Sequence, residues 1–227
     1  MGLKLLIKFP TRGRCDKFFN VLDMYYANLD DIDNTRFVVT CDLDDESMCN
    51  DTVKEKFKTY SNLEVYYGES KTKIEAVNKD IYDKDFDVIL LASDDMIPQI
   101  KGYDTIIKSD MSKHFPNTDG VLWYFDGYRK DLNTLCILGK KYYERFDYIY
   151  HPDYKSFYSD NEFTQVANLL GKQKYIDICI IKHVHPDITK EFFTEYDETY
   201  LKNNFSGDEI IFRDRVNNNF NIQLQHD

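Results

Sequence analysis

Long apolar runs, paired cysteines and glycine-rich segments are all missing from this sequence of 227 residues. No apolar run approaches the roughly 18 residues that a membrane-spanning helix needs. The short apolar stretch near the N-terminus is typical of a first strand and too short for a signal peptide. The five cysteines are odd in number and form no Cys-x-x-Cys pair, which indicates free thiols in a reducing compartment. We therefore expect a cytoplasmic protein with no membrane partner.

Positive charge is also scarce. The chain has 29 Lys and Arg against 40 Asp and Glu, a formal net charge of −11. This balance argues against a general affinity for nucleic acid or anionic membranes. It is compatible with a divalent cation between the protein and an anionic substrate. With 42% apolar and 30% charged residues, the composition is that of an ordinary globular protein. The length fits one large domain or two small ones, and the lack of a repeat, a Gly/Ser linker or a low-complexity segment favours one domain over residues 1–227.

Apolar runs alternate with helical patterns through the first hundred residues. This alternation predicts an α/β fold, with helices on both faces of a mostly parallel central sheet. We expect Pro10 to end the first strand. In the second half we expect a helix capped by Asp160 or Asn161, and a further apolar strand in residues 173–186. The predicted strands of the first half are 3–9, 35–43, 62–68 and 86–93, and its predicted helices are 14–29, 50–60 and 70–84.

Polar clusters follow three of these strands directly. They read PTRGR after the first strand, CDLDD after the second and SDDM after the fourth. Since sites in parallel sheets lie beyond the carboxyl ends of the strands, the clusters should converge on one edge. Asp94 and Asp95 are either a solvated turn or the ligands of a hard cation such as Mg²⁺ or Mn²⁺. We expect Pro98 to prevent the strand from continuing.

The ordered series PTRGR, CDLDD, KTKIEAVN and LLASDDM resembles the nucleotide-sugar half of family-two-type glycosyltransferases with the GT-A fold. The resemblance covers about residues 5–98, leaving 99–227 as the acceptor-side half. It implies Mn²⁺ or Mg²⁺ as cofactor and a nucleotide-diphosphate sugar as donor, a UDP-sugar above all. The donor-binding residues that it implies are Pro10, Thr11, Arg12, Arg14, Asp42, Lys73, Asn78, Ser93 and Asp94.

Within that set the resemblance implies separate roles. Asp42 would contact the base, and Asp94 or Ser93 the ribose. Asp95 would hold the metal. Arg12 and Arg14 would offer charge to the diphosphate, although a solvated loop explains them equally well.

The acceptor half has two further clusters. In the resembled family an acid at the start of a later helix is the catalytic base, which points to Asp160, with Glu162 as its substitute; the alternative is that Asp160 only caps its helix. His183 and His185 alternate and therefore share one face of a strand. Either could be a further metal ligand, with His185 the first choice; the alternative is a structural role.

The leading hypothesis is a metal-dependent glycosyltransferase, a hexosyl- or pentosyltransferase that moves sugar to an acceptor hydroxyl with inversion. One alternative is a nucleotidyltransferase on a related fold, although FPTRGRCDKFF lacks the glycine-rich loop of that class. The other alternative is a non-catalytic nucleotide- or sugar-binding module. A saccharide, a protein, a small molecule or a modified nucleic-acid base all remain open as acceptor. The residue usage is typical of AT-rich genomes, including viral ones.

Overall fold

In the computed structural model, which describes residues 2–184 and 205–222, strands and helices alternate through the first hundred residues. The elements of this half are β1 (Leu5–Thr11), α1 (Cys15–Ala27), a 3-10 turn (Ile32–Asn34), β2 (Thr35–Asp42), α2 (Asp51–Phe57), β3 (Leu63–Gly68), α3 (Lys73–Asn78) and β4 (Val88–Leu91). The second half contains β5 (Met96–Pro98), α4 (Tyr103–His114), β6 (Val121–Tyr124), β7 (Ile137–Gly139), α5 (Lys140–Tyr143), α6 (Ser159–Leu169), β8 (Gln173–Ile176), β9 (Ile181–His183), α7 (Phe205–Asn217) and a 3-10 turn (Asn219–Asn221).

Seven strands form the central sheet in the order β3-β2-β1-β4-β7-β6-β8. Strands β3, β2, β1 and β4 are parallel, as are β6 and β8, while β7 runs antiparallel to both of its neighbours. The predicted α/β fold with a mostly parallel sheet is therefore confirmed. Strands β5 and β9 form a separate antiparallel pair. In the part of the chain that the structure describes, no helix is long and apolar enough to cross a membrane.

Each face of the sheet has its own apolar core, because successive residues of a strand point to opposite faces. On one face, Phe9 of β1 packs edge-on against Phe18 and Tyr25 of α1, with ring centroids 4.8 and 5.9 Å apart. Leu6 of β1 belongs to the core on the other face, which includes Ile74 of α3 and residues of α5 and α6. Helices therefore cover both faces and leave the carboxyl edge of the parallel strands to the loops.

Strand β1 continues through Pro10 to Thr11, so the prediction that Pro10 ends it was wrong. The last pair between β1 and β4 joins Lys8 to Leu91, and the amide of Ala92 donates to the carbonyl of Lys8. The backbone N–H and C=O groups of residue 8 point to the side of the sheet on which β4 lies, and the backbone of residue 10 faces the same side. Pro10 lies past the end of β4 on that side, so its missing N–H removes no ladder hydrogen bond.

Helix α3 ends at Asn78, six residues before its predicted end at residue 84. The Asn78 side-chain oxygen accepts the amides of Ile149 (2.9 Å) and Tyr150 (3.1 Å), and its nitrogen donates to the Tyr150 carbonyl (2.7 Å). Two residues later, Asp80 is left-handed with φ 64°. Contacts with a segment about 70 residues away in sequence therefore stop the helix.

A lysine is buried in the middle of the sheet. Lys8 of β1 is 0% exposed, and its Nζ donates to the hydroxyl of Thr40. That hydroxyl donates to Asp80 Oδ2 at 2.5 Å, and Lys8 Nζ lies 3.9 Å from the same oxygen. Burial lowers the pKa of Lys8 from 10.5 to about 8, against the opposing effect of Asp80.

The chain does not leave the sheet region after Asp95. It forms β5, which pairs antiparallel with β9 in the register Met96 to His183 and Pro98 to Ile181. Pro98 is the last residue of this second short strand, and β4 itself ends earlier, at Leu91. The predicted strand in 173–186 is two short strands, β8 and β9, and β9 brings a histidine back to the acidic pair.

Candidate active site

The polar loops after β1 and β2 meet at the carboxyl edge of the sheet. Arg12 Nη1 donates to Asp42 (2.8 Å) and to Asp44 (2.5 Å), and its Nη2 donates to Asp44 (2.9 Å). The amide of Gly13 donates to Asp45 Oδ2 at 2.7 Å. Hydrogen bonds with Asp44, and then with Asp42, raise the pKa of Arg12 above its usual value. The acid predicted to read the base is therefore already oriented by an arginine predicted to approach the diphosphate.

The acidic pair lies in the turn between β4 and β5. Arg14, at the N-cap of α1, lies 2.7 Å from Asp94 Oδ1, and Asp94 is 5% exposed. The hydroxyl of Ser93 donates to Asp95, whose side chain is 15% exposed. Lys73, the exposed first residue of α3, acts on both carboxylates through its charge. The structure therefore brings the predicted metal ligand Asp95 together with four predicted donor-binding residues: Arg14, Lys73, Ser93 and Asp94.

The pKa values of Asp94 and Asp95 are shifted in opposite directions. Burial, and the charge of Asp95, raise the pKa of Asp94 against the opposing charge of Arg14. Burial also acts to raise the pKa of Asp95, but its hydrogen bonds and charge interactions with His183, Ser93 and Lys73 prevail. The pKa of Asp95 consequently lies well below its usual range. Asp95 is therefore the member of the pair that loses its proton at the lower pH.

A histidine from β9 lies beside that anion. His183 Nε2 is 3.6 Å from Asp95 Oδ2, and the amide of Val184 donates to the Asp95 carbonyl at 2.7 Å. The pairing of β5 with β9 therefore fixes the imidazole next to the carboxylate. His185, the other histidine predicted as a ligand, lies outside the described residues.

Asp126 connects this pair to the acceptor side. Its carbonyl accepts the amide of His183 (2.9 Å), while its buried carboxylate accepts the amides of Tyr128 (2.8 Å) and Arg129 (2.6 Å) and the hydroxyl of Thr134 (2.7 Å). In the sequence, Asp126 and Gly127 indicate a turn. The hydrogen bond between Asp126 and His183, 57 residues later, could not be predicted from that pattern.

Asp160 lies in the first turn of α6 and is partly exposed. The N-cap is Tyr158, in a left-handed conformation with φ 60° and no side-chain capping bond. The prediction that Asp160 or Asn161 caps the helix was therefore wrong. Asp160 Oδ1 accepts only the amide of its neighbour Asn161 among the hydrogen bonds seen, at 2.9 Å. Its charge acts on Arg129, whose pKa is raised mainly by Asp131.

Glu162 has a different environment. It is 4% exposed, and Arg215 of α7 donates to both of its carboxylate oxygens, at 2.6 and 2.7 Å. The hydroxyl of Tyr154 donates to Oε2 at 2.7 Å. A carboxylate engaged in this way holds α7 against α6. Asn78 was predicted to bind the donor, but its side-chain amide hydrogen-bonds to the backbone of residues 149–150.

Several buried polar atoms at the ends of β1, β2 and β3 lack a hydrogen-bond partner within the described residues. They are Thr11 Oγ1, Asp42 Oδ1 and Tyr67 OH, and Ser70 Oγ follows in the next loop. The pairing of β1 with β2 sets Thr11 opposite Cys41, and that of β2 with β3 sets Cys41 opposite Tyr67. Unsatisfied buried polar atoms are rare in folded proteins, and a polar ligand at this edge would satisfy them.

Metal ligands are few in the described parts of the chain. Across residues 2–184 and 205–222, no three His, Cys, Asp or Glu side chains cluster closely enough to hold an ion by themselves. Asp95 and His183 supply one carboxylate and one imidazole. This set fits a cation that takes the rest of its coordination from substrate phosphates and water, as Mg²⁺ and Mn²⁺ sites often do.

Comparison with known proteins identifies the fold. Neither a scan against protein-family models nor a search of curated proteins finds a match. Among solved structures, the mannosyltransferase PcManGT from Pyrobaculum calidifontis, in complex with GDP-Man and Mn²⁺, matches with a TM-score of 0.65 and 14% identity over 83% of this chain and 59% of that chain. TarS 1–349 from S. aureus matches with a TM-score of 0.63 and 17% identity, over 82% and 61% of the two chains. Its complex with UDP-GlcNAc gives 0.62 and 16%, over 87% and 64%.

This chain spans less than two thirds of the length of each of these neighbours. Identities of this size carry the likeness of fold and nothing further. The sheet of this protein, with its flanking helices, has the GT-A fold of these glycosyltransferase structures.

Proposed function

We propose that this protein is a metal-dependent glycosyltransferase that moves a sugar from a nucleotide-diphosphate donor to an acceptor hydroxyl with inversion. One observation carries the proposal: at the carboxyl edge of a GT-A sheet, the anionic Asp95 lies 3.6 Å from His183 and within the field of Lys73. A solvated turn would not need an arginine partner, a histidine from a distant strand and a lysine around two acids.

The donor side is the edge formed by β1, β2 and β4. Asp42 Oδ1 is a buried acceptor without a partner among the described residues, and Thr11 Oγ1 is a hydroxyl in the same state. A buried carboxylate oxygen that lacks a donor suits a ring N–H of a uracil or guanine base. Arg12 fixes the other oxygen of Asp42. We assign the ribose to Asp94 or Ser93, as the resemblance implies.

The diphosphate would lie beside Asp95, His183 and Lys73. A bound Mn²⁺ or Mg²⁺ supplies charge neutralisation of the leaving diphosphate. Asp95 and His183 are the residues that would hold it; against the effect of burial, the interactions of Asp95 with His183, Ser93 and Lys73 favour its ionised form, the form that binds a cation. Lys73 would contribute a positive charge beside the diphosphate whether or not a cation is bound. Arg14 is engaged with Asp94 and shapes the pair.

Asp160 is the proposed base. It accepts the proton of the acceptor hydroxyl as that oxygen bonds to the anomeric carbon of the sugar. The bond from that carbon to the diphosphate oxygen breaks, and the nucleoside diphosphate leaves with the electron pair. Attack opposite the leaving group inverts the anomeric centre. Glu162 does not share this role in the proposal, because Arg215 and Tyr154 occupy its carboxylate.

Calorimetry with UDP, GDP, ADP and CDP, each with and without Mn²⁺, tests the donor site. We expect one nucleotide to bind in a Mn²⁺-dependent manner, and the Asp95→Asn variant to lose that dependence. The matched control is Asp83→Asn, which removes a carboxylate that is 79% exposed and belongs to no part of the site. Absence of binding by the wild-type protein under every condition would overturn the proposal. Mn²⁺-dependent binding without turnover of any sugar nucleotide would instead favour a binding module.

A further inference from the structure

Helix α7 contacts the chain on both sides of Asp160. Asp208, 1% exposed, accepts three consecutive backbone amides: Lys155 (3.0 Å), Ser156 (2.9 Å) and Phe157 (2.8 Å). These residues end the loop that leads into α6. A carboxylate that accepts several backbone N–H groups forms charge-assisted bonds, which are stronger than neutral ones. The position of the loop before Asp160 is therefore tied to a helix 50 residues further along the chain.

The second contact follows Asp160. Arg215 lies seven residues after Asp208, two helical turns along the same face of α7. It forms the two-bond pair with Glu162, which comes two residues after Asp160 in α6. The side chains of Arg215 and Glu162 are 10% and 5% exposed, so the pair is held away from solvent.

A third contact lies between these two. The ring of Tyr158 stacks on Phe212 of α7, with centroids 5.2 Å apart and an interplanar angle of 24°. Tyr158 is the left-handed N-cap residue of α6. A left-handed conformation at a bulky residue persists only where its surroundings impose it. The start of α6 does not cap itself with a side chain, and α7 supplies the contacts around it.

The loop that α7 holds also touches the donor side. The amide of Ile74, the second residue of α3, donates to the Lys155 carbonyl at 3.3 Å. Lys73, the proposed diphosphate contact, immediately precedes Ile74. The loop at residues 155–157 thus lies between α7 and the start of α3. A shift of this loop would move the start of α6, which carries Asp160, relative to the start of α3.

We propose that Asp208 and Arg215 are positioning residues, which hold Asp160 at the distance from the donor that transfer requires. This inference rests on the proposed function, since it takes Asp160 to be the base. Neither residue touches substrate. They act through the loop at 155–157 and through Glu162. Misplacing a reacting group by about 1 Å can lower a rate by roughly 100-fold, so firm anchoring of the base has a kinetic value beyond stability.

The test compares Asp208→Asn and Arg215→Met with two controls on the exposed face of the same helix, Asp214→Asn and Arg213→Met. Arg213 is 74% exposed and pairs only with Glu209 of its own helix among the contacts seen. Each protein is examined by hydrogen exchange of the amides at 155–157, by calorimetry of the nucleotide with Mn²⁺, and by the rate of nucleoside-diphosphate release from the sugar nucleotide.

We expect Asp208→Asn and Arg215→Met to lower kcat by about 10- to 100-fold while the affinity for the nucleotide changes by less than about twofold. In Asp208→Asn, the amides at 155–157 should exchange faster as well. The controls should change none of the three quantities. Arg215→Met also leaves Glu162 buried without its partner and lowers stability, so kcat is calculated per folded protein. A purely structural role would not separate kcat from nucleotide affinity.

Unchanged kcat in both variants, or amide exchange at 155–157 that is insensitive to Asp208→Asn, would overturn the inference. Failure of the proposed function looks different, because the wild-type protein itself would then neither bind a nucleotide nor release one. In that case the assignment of Asp160 as a base falls first, whatever the exchange data show.

Discussion

Replacing the buried lysine of β1 changes how stability depends on pH. Lys8 has a pKa of about 8 in the folded protein against 10.5 in the unfolded chain, because burial disfavours its charged form. Between those two values the unfolded state binds more protons than the folded state. The free energy of unfolding that depends on Lys8 therefore rises with pH through this window, and it is lowest below pH 8.

The magnitude follows from the two pKa values. Each pKa unit corresponds to about 1.4 kcal/mol, so the charged lysine lowers stability by about 3 kcal/mol at neutral pH relative to its neutral form. Between pH 7 and pH 9.5 about 2 kcal/mol of this is regained. Lys8→Met has no such dependence. The stability of the variant minus that of the wild-type protein should fall by about 2 kcal/mol over that range.

Urea unfolding at several pH values, with reductant present, measures both proteins. Burial raises the pKa values of tyrosines and cysteines such as Tyr25 and Cys41, so these groups ionise first in the unfolded chain. Their ionisation lowers the free energy of unfolding as pH rises above about 9. They are common to both proteins and cancel in the difference. A difference that stays constant from pH 7 to 9.5 would refute the reasoning. It would mean that Thr40 and Asp80 solvate the ammonium as well as water does.

Three other substitutions test separate parts of the structure. Asp160→Asn should lower kcat for transfer by about 100-fold or more without changing nucleotide affinity, as steady-state kinetics and calorimetry would show; equal loss of both would contradict its role as base. Glu162→Leu should lower the free energy of unfolding by about 3 to 5 kcal/mol, because Arg215 is left buried without its partner. Adding Arg215→Met should restore part of this loss. If the effects of the two substitutions simply add, the pair is not the source of the stability. Gly139→Ala should destabilise by about 1 to 3 kcal/mol in the same assay, because the new carbon would lie 2.1 Å from the Thr118 carbonyl oxygen. Gly68→Ala, where nothing lies within 4 Å, is its control and should change stability by less than about 0.5 kcal/mol.

The architecture of the donor half could be predicted because local signals determine it. Polar clusters follow three of the parallel strands, and parallel strands end at the same edge, where Arg12 pairs with Asp42 and Arg14 with Asp94. The error at Pro10 shows the limit of such signals. Whether a missing N–H matters depends on where the neighbouring strand ends, which the sequence of β1 does not contain.

Long-range contacts account for what the sequence did not reveal. Asn78 was predicted to face the nucleotide, but its amide bonds to the backbone of residues 149–150. Glu162 was predicted as a substitute base, yet its partner Arg215 is 53 residues away. Asp208 and Arg215 share a helix face, and that spacing was visible in the sequence. The loop that they hold was not.

The most direct test of the account is whether the protein releases a nucleoside diphosphate from a sugar nucleotide. UDP- and GDP-linked sugars are incubated with the protein and Mn²⁺, and the released nucleotide is measured by chromatography. We expect Mn²⁺-dependent release from one donor, abolished by Asp95→Asn and strongly reduced by Asp160→Asn. Release that is unaffected by Asp95→Asn, or no release from any donor in the presence of a mixed pool of saccharide, protein and small-molecule acceptors, would contradict it.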